Sequence, residues 1–402
     1  MPVIFGNPEL DGGLLRIPVT TEGVAGLKSG TVKVRYNDVD VGRVPESILM
    51  MPALGGFLTA ALALGEKVVV PSVDSVFASA VDDLAKAWKR IYPTFQSEKF
   101  ELIGPRISSI SPAANGDLLL YSGGVDAVAS LVKNRSAVAG LFSVWGADVK
   151  VNNEGLWRQL QSVVQQTEAV HGLPLTTART NVRSLIDGRT LVRRFVGDAS
   201  QTWWMKAQHG IALLALGAPV CYAGGYSRLL IASSHSAAFS EPWGSNPVTD
   251  EMVKFANTTC HHDSYEVTRQ EKIGRYIAPE IKSGRAVSLA VCYKSSRGGD
   301  SINCCKCEKC FRTASALIAC GVEPDVAGLP VKLEKLEEWK DLLVSGRPMS
   351  ENEQYMWSDV QVAAREAVRN GTHGGRYADY LTWLAEHPFN RQPEPETAAS
   401  YG

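Results

Sequence analysis

Ser122-Gly123-Gly124-Val125-Asp126 is one of two places in this chain where residue types and spacing could do chemistry. Adjacent glycines let the backbone turn tightly and approach a ligand with no Cβ in the way. A strand-like run, Asp117 to Leu120, precedes them, and Val128, Ala129, Leu131 and Val132 follow at helical spacing. Strand, glycine loop, helix is an order that aims unpaired N–H groups and a positive dipole end at one spot, which suits an anion. Ser122 adds a hydroxyl to that cradle. Asp126 does not suit direct contact with phosphate, but it could hold Mg²⁺ or orient the loop. No Gly-Lys-Ser/Thr follows, so this is not a Walker A loop, and the G-x-G-x-x-G of dinucleotide folds is absent. The plainer alternative is an ordinary glycine turn. A strand-to-helix turn, however, is where nucleotide sites sit.

The second place is Cys292, followed after eleven residues by Cys304-x-x-Cys307-x-x-Cys310. Closely spaced Cys-x-x-Cys loops provide the tetrahedral thiolate set of structural Zn²⁺ sites. Four thiolates on Zn²⁺ leave a net double negative charge, which Lys294, Arg297, Lys306, Lys309 and Arg312 would partly neutralise. Cys305 falls out of register and reads as a bystander. An iron–sulfur cluster is the rival ligand, and unmetallated thiols are the remaining alternative.

The surrounding pattern must position both. Residues 1–112 read as an accessory α/β domain, with strands at Leu14 to Ile17 and Thr31 to Val41. Pro18 should end the first of these or hold it at a sheet edge. Another strand runs Lys67 to Val70. A helix follows whose face is Val76, Phe77, Ala80, Val81, Leu84, Trp88 and Ile91, with Asp74 as N-cap and Tyr92-Pro93 as stop. Ser47 to Gly65 carries no charge, but Pro52, Gly55, Gly56 and Thr59 interrupt it. It reads as a buried core helix, broken near the glycines, rather than a membrane span.

From 113 to 325, strands and helices alternate, which implies a largely parallel sheet with helices on both faces. A second strand, Ala137 to Val144, ends in Trp145-Gly146-Ala147-Asp148. The next helix buries Leu156, Leu160, Val163, Val164 and Val170 and stops at Gly172. A third strand is Leu173 to Thr177, a core helix spans Gly210 to Val220, and Leu229 to Ala232 is a compact strand. Ligands in such sheets sit beyond the C-terminal strand ends. Arg179, Arg183, Arg189, Arg193 and Arg194 follow the third strand and could hold phosphates or an acidic substrate, the alternative being a solvated loop. Arg179 and Arg183 lie closest to the strand end, so with Ser122 and Asp126 they are the candidate catalytic residues. The Pro/Gly-rich loop Glu241 to Pro247 reads as an ordered substrate lip, since Trp243 would bury nothing in a flexible one. His235, His261 and His262 read as surface or hydrogen-bonded histidines rather than ligands. Residues 326–402 form a helical region, lined by Leu333, Leu336, Trp339, Leu342 and Leu343, with the last dozen residues, Pro393 and Pro395 among them, as a disordered tail.

Composition narrows the classes. Apolar content of 45% and charged content of 21% are those of a soluble globular chain, and a net charge of −1 offers no general attraction to nucleic acid or anionic membrane. No secretory leader is legible at Met1 to Phe5. Eight cysteines without one indicate a reducing, cytoplasmic setting where thiols bind metal.

The glycine loop resembles the Ser-Gly-Gly-x-Asp-Ser PP-loop of the ATP-pyrophosphatase superfamily, with Ala127 in place of the final serine and so one phosphate hydroxyl fewer. The loop, Cys292-Tyr293 and Cys304, Cys307 and Cys310, in that order, together resemble the 7-cyano-7-deazaguanine synthase family. The resemblance covers about 113–325. It implies an adenine nucleotide alpha-hydrolase-like fold. Ser122, Gly123, Gly124, Val125 and Asp126 would bind ATP, with Mg²⁺ as second cofactor and Zn²⁺ on the cysteines, since adenylation needs no electron carrier. The activity implied is adenylation of a carboxylate or amide oxygen, releasing pyrophosphate, then attack by a nitrogen nucleophile. The flanking regions have no counterpart in the usual members and point to a protein, peptide or carrier-bound substrate. Similar enlarged proteins occur in antiphage systems. The alternatives are a small-molecule deazaguanine nitrile synthase and a non-catalytic nucleotide-binding module that docks a partner.

Overall fold

The computed structural model describes residues 2–112, 116–239, 241–292, 301–371 and 375–389. Its centre is a run of five parallel strands. In chain order they are β1 (Asp117–Leu120), β2 (Val138–Trp145), β3 (Leu175–Thr180), β4 (Arg228–Ala232) and β5 (Thr258–Asp263). They lie side by side as β3-β2-β1-β4-β5. The first crossovers run outward from β1 to β3, and the chain then returns to the other side of β1 for β4 and β5. A crevice therefore opens beyond the C-terminal ends of β1 and β4, where the order reverses.

Both faces of β1 are apolar. Leu118 and Leu120 enter one core, with the helices Met51–Leu64 and His209–Gly224; Leu119 and Tyr121 enter the other, with the helix Glu154–His171 and the C-terminal helices. A strand buried on both sides needs this uninterrupted apolar run. The expected α/β class, with helices on both faces, is what the structure has. The sheet as a whole is mixed. Beyond β3 it continues through the antiparallel strands Gly30–Asn37 and Leu14–Thr20, then Val3–Phe5, Lys67–Val69 and Glu101–Ile103, so that twelve strands of the described residues form one sheet.

Pro18 neither ends its strand nor marks an edge. The strand runs to Thr20 between two paired neighbours, and the proline serves the ladder through its carbonyl, which accepts from Gly6 N at 2.9 Å. The second strand is shorter than its apolar alternation implies, ending at Asn37. Asp74 caps the helix Ser75–Ile91 by accepting from the amides of Val76 and Phe77. Val170, two residues before the stop at Gly172, is 41% exposed rather than part of the buried stripe. No described helix is long and apolar enough to cross a membrane.

The apolar stretch at Ser47 to Gly65 is the least anticipated part. It is not broken at its glycines: the helix Met51–Leu64 is continuous and every residue in it is buried. Gly55 and Gly56 let other elements approach. A Cβ on Gly55 would lie 2.2 Å from Ala215 Cβ, and one on Gly56 would lie 2.3 Å from Val182 Cγ2. Two backbones meet there at a distance only glycine permits. Gly55→Ala should therefore cost at least about 2 kcal/mol, outweighing the helix propensity that alanine gains. Gly155→Ala, in a helix with no atom within 4 Å of the new methyl, should be neutral or stabilising by about 0.5 kcal/mol. Urea unfolding midpoints of the two variants check this.

Candidate functional site

β1 ends at Leu120, and the chain turns through Ser122, Gly123 and Gly124 into the helix Val125–Lys133. Gly123 adopts φ +69°, a conformation that disfavours side chains, and its carbonyl accepts from Ala290 N at 2.8 Å. Gly124 differs. Its φ of −71° suits any residue, and a Cβ there would meet only Ser122 Oγ at 3.4 Å and Ala290 O at 3.7 Å. Neither backbone nor packing requires glycine at 124. What a side chain would take is space in the cavity the residue lines.

That cavity has two adjoining parts, of about 130 Å³ and about 350 Å³. Ser122, Gly124, Asp126, Asp148, His209 and Ser234 line both. The inner part has an apolar wall of Leu120, Phe142, Val144 and Ile231, and Ala127 borders it. The outer part adds four cations, Arg183, Arg269, Lys309 and Arg312. It continues into a groove of about 790 Å³ between the lip at Ala238 to Trp243 and the start of the helix Glu351–Arg369. An apolar inner wall under a cationic mouth suits a ligand with a flat ring system and an anionic tail.

Asp126 anchors the loop. Arg269 reaches both its carboxylate oxygens, and Lys272 Nζ lies 3.3 Å from Oδ1. Burial would raise its pKa, but the charges of Arg269 and Lys272 outweigh that and hold the carboxyl well below the usual range. Lys272 is fully buried, its pKa lowered by burial, and it also donates to Ser233 O. Arg269 donates to Ser234 O at 3.3 Å. Both cations sit on the short helix Arg269–Lys272, which Thr268 and Glu271 close with a capping box. Of the two roles the sequence allowed for Asp126, orienting the loop is the one these contacts make. Asp148 is the other cavity carboxylate. It is exposed and accepts from Trp204 Nε1 through Oδ1, which leaves capacity for a divalent ion.

The arginines after β3 divide. Arg183 lines the outer cavity, stacks 4.5 Å over Trp204 and donates to Ala147 O. Arg179 is exposed, lies 4.2 Å over Trp145, and is not among the residues lining either cavity. The lip is ordered about Trp243, which packs edge-on against His235 at 4.8 Å. Burial and the Arg269 charge push His235 down to about 4, so it is neutral at pH 7. His262 is buried on Asp250 at 2.8 Å, and His261 pairs with Glu251 at 2.9 Å. Arg269, Lys272 and His209 escaped sequence reasoning, for no motif marks them. His209 faces the cavity with Nδ1 unpartnered, set edge-on to Trp204.

The four motif cysteines converge, and their Sγ atoms all lie within 4.8 Å of one another. Zn–S bonds of about 2.3 Å imply sulfur–sulfur edges of about 3.8 Å in a tetrahedron. Cys304–Cys310 at 3.9 Å and Cys307–Cys310 at 3.7 Å match that, and Cys304 N donates to Cys292 Sγ at 3.3 Å. The donor set fits a soft tetrahedral ion. Cys305 stands outside the group with its thiol toward Asn303 O. Tyr293, Lys294 and Arg297 lie outside the described residues, as does the tail beyond Phe389. The helix Glu308–Ala319 begins at the cluster, and its Lys309, Arg312 and Thr313 line the outer cavity.

No protein-family model, curated protein or solved structure matches the chain.

Purified protein should hold about one zinc per chain, from the four-thiolate stoichiometry. Cys307→Ser should lose it and Cys305→Ser should keep it, by elemental analysis; iron with labile sulfide would refute the assignment. Asp126→Asn should destabilise by about 3–5 kcal/mol, because it strands Lys272 and Arg269. The depressed carboxyl contributes stability above its unfolded pKa of about 4 and loses it as pH falls toward the folded value. The variant should thus lose stability less steeply than wild type as pH falls below about 5, by urea titration at each pH.

Proposed function

We propose that the chain is a PP-loop-type enzyme that activates a carboxylate or amide oxygen with ATP and hands the activated group to a nitrogen nucleophile. The observation that carries the reading is Gly124: a glycine that its own fold does not require, on the loop at the strand-order reversal, facing a cation-walled cavity. The four-cysteine group supports it, since one helix joins that cluster to the same cavity.

In this reading the substrate oxygen attacks the α-phosphorus. The bond from that phosphorus to the bridging oxygen breaks, and pyrophosphate leaves with the electron pair. Nitrogen then attacks the activated carbon, AMP leaves, and the nitrogen's proton passes to solvent or base. Asp148 would hold Mg²⁺, which would supply charge neutralisation. The chain's own part is positioning and fixed charge, which supply most of the rate in phosphate chemistry. Ser122, Gly124 and Val125, which line the cavity, would receive the phosphates, and Asp126 keeps that turn in place. Zinc on Cys292, Cys304, Cys307 and Cys310 would be structural. Arg183 is retained as a substrate-side cation; Arg179, stacked on Trp145 outside the cavity lining, serves such a role less well.

The groove of about 790 Å³ beyond the cavity, walled by Phe239, Pro242, Trp243 and Met356, exceeds what a nucleobase and ammonia need. It favours a protein, peptide or carrier-bound group as one substrate. Robust conversion of free carboxydeazaguanine and ammonia to the nitrile, indifferent to any partner, would instead establish the small-molecule synthase.

Two measurements test the reading. Incubation with ATP, Mg²⁺ and candidate acceptors should release AMP and pyrophosphate; ADP with phosphate, or no cleavage with any acceptor, counts against it. Gly124→Val should abolish ATP binding while leaving the melting temperature unchanged. Full affinity in that folded variant would remove the loop from the site.

A further inference from the structure

Lys309 lines the outer cavity along with the glycine loop. It shares that lining with Arg312 and Thr313, at i+3 and i+4 on the helix Glu308–Ala319, while Ser122 and Gly124 line the same space. The cations around it have partners. Arg269 is held by Asp126, Arg312 by Glu308 through Nε, and Arg183 by Trp204 and Ala147 O. Lys309 makes no ion pair among the described residues. Four cations and two carboxylates, Asp126 and Asp148, line the outer cavity, and with Glu308 paired to Arg312 a positive excess remains, which suits an anion.

A plainer role must be set against this one. Lys309 also borders the groove of about 650 Å³ that exposes Cys304 and Cys307, where it could merely offset thiolate charge. Lys306 borders that groove too, but does not line the cavity beside the loop. The two lysines therefore separate the roles. A residue needed only by the cysteines would be matched by Lys306, whereas a residue needed by the cavity ligand would not.

We infer that Lys309, supported by Arg269 and Arg312, shares the cavity with the glycine loop and binds the pyrophosphate portion of the nucleotide there. The inference builds on the nucleotide reading of the loop. It makes the cysteine cluster the anchor of a ligand-binding helix, with Cys310 turned to the cluster and Lys309 and Arg312 turned to the anion.

Titration calorimetry of the full metal-loaded chain with inorganic pyrophosphate and Mg²⁺ tests it without knowledge of the acceptor. Lys309→Met should weaken pyrophosphate about ten- to a hundredfold, the range of a hydrogen bond to a charged group. Lys309→Arg should recover most of that loss, and Lys306→Met should bind as wild type. Added salt should weaken wild type more than Lys309→Met. Zinc content and melting temperature should be unchanged in all three variants. Unaltered affinity in Lys309→Met, equal losses in the two methionine variants, or no pyrophosphate binding by wild type would each overturn the assignment. The outcomes also part from those of the enzymatic reading. AMP release with an unaffected Lys309→Met would leave that reading standing and remove this one. Lysine-dependent pyrophosphate binding with no AMP from any acceptor would do the reverse.

Discussion

The contact of Asp126 with Arg269 and Lys272 holds together three strand ends that the chain visits far apart. Asp126 opens the helix after β1, Ser233 and Ser234 follow β4, and the two cations follow β5. Burying such charges is costly unless each is paired and hydrogen-bonded, and here the pairing is closely met. A cluster of this kind adds little net stability. Its effect is geometric: once Lys272 is enclosed, the loop, the segment after β4 and the short Arg269–Lys272 helix have one mutual arrangement that leaves no charge stranded. A glycine loop is otherwise the most mobile way to begin a helix. Fixing it from behind holds Ser122 and Gly124 at the cavity wall in one arrangement.

The N-terminal third acts at the other edge of the same array. Its strand Gly30–Asn37 pairs with β3, Asn181 bonds back to Lys33 N and Thr31 O, and Tyr36 donates to Leu216 O across the helix layer. The helix Met51–Leu64 then lies against His209–Gly224 at glycine distance. His209, at the start of that helix, faces the cavity. The region contributes no residue to the lining of the cavity. It fixes the helix whose first residue does, through backbone contact close enough to transmit position rather than through a flexible linker.

Much of this was legible in the sequence, and the reason is locality. Asp74 as a cap, Gly172 as a stop, the apolar run of β1 and the cysteine spacing all express their structure within a few residues. What escaped depends on pairings far apart in the chain. Asp126 and Arg269 are 143 residues apart, and nothing near either one announces the other. Gly55 and Gly56 read as breakers because a helix is judged from its own residues, whereas their meaning lies in Ala215 and Val182. Pro18 misled likewise: a proline lacks a donor, but an acceptor was what that position in the ladder used. Arg179 and Arg183 were equivalent by proximity to a strand end. Only the stacking partners, Trp145 for one and Trp204 for the other, separate them.

The cysteine cluster and the cavity look like separate devices, one for folding and one for chemistry. A single helix denies that separation. Starting from Cys307, Glu308–Ala319 turns Cys310 toward the sulfur group and Lys309, Arg312 and Thr313 toward the cavity, as a period of 3.6 residues allows. Glu308 holds Arg312 one turn along, so the guanidinium is set before any ligand arrives. The back of the helix is held by Ser315, bonded to Tyr380 at 2.7 Å, and by Phe311 stacked on Trp339. The C-terminal helices thus press the same element from behind. The four-cysteine cluster at its start and an aromatic core along its back leave this helix no freedom to withdraw its charges from the cavity.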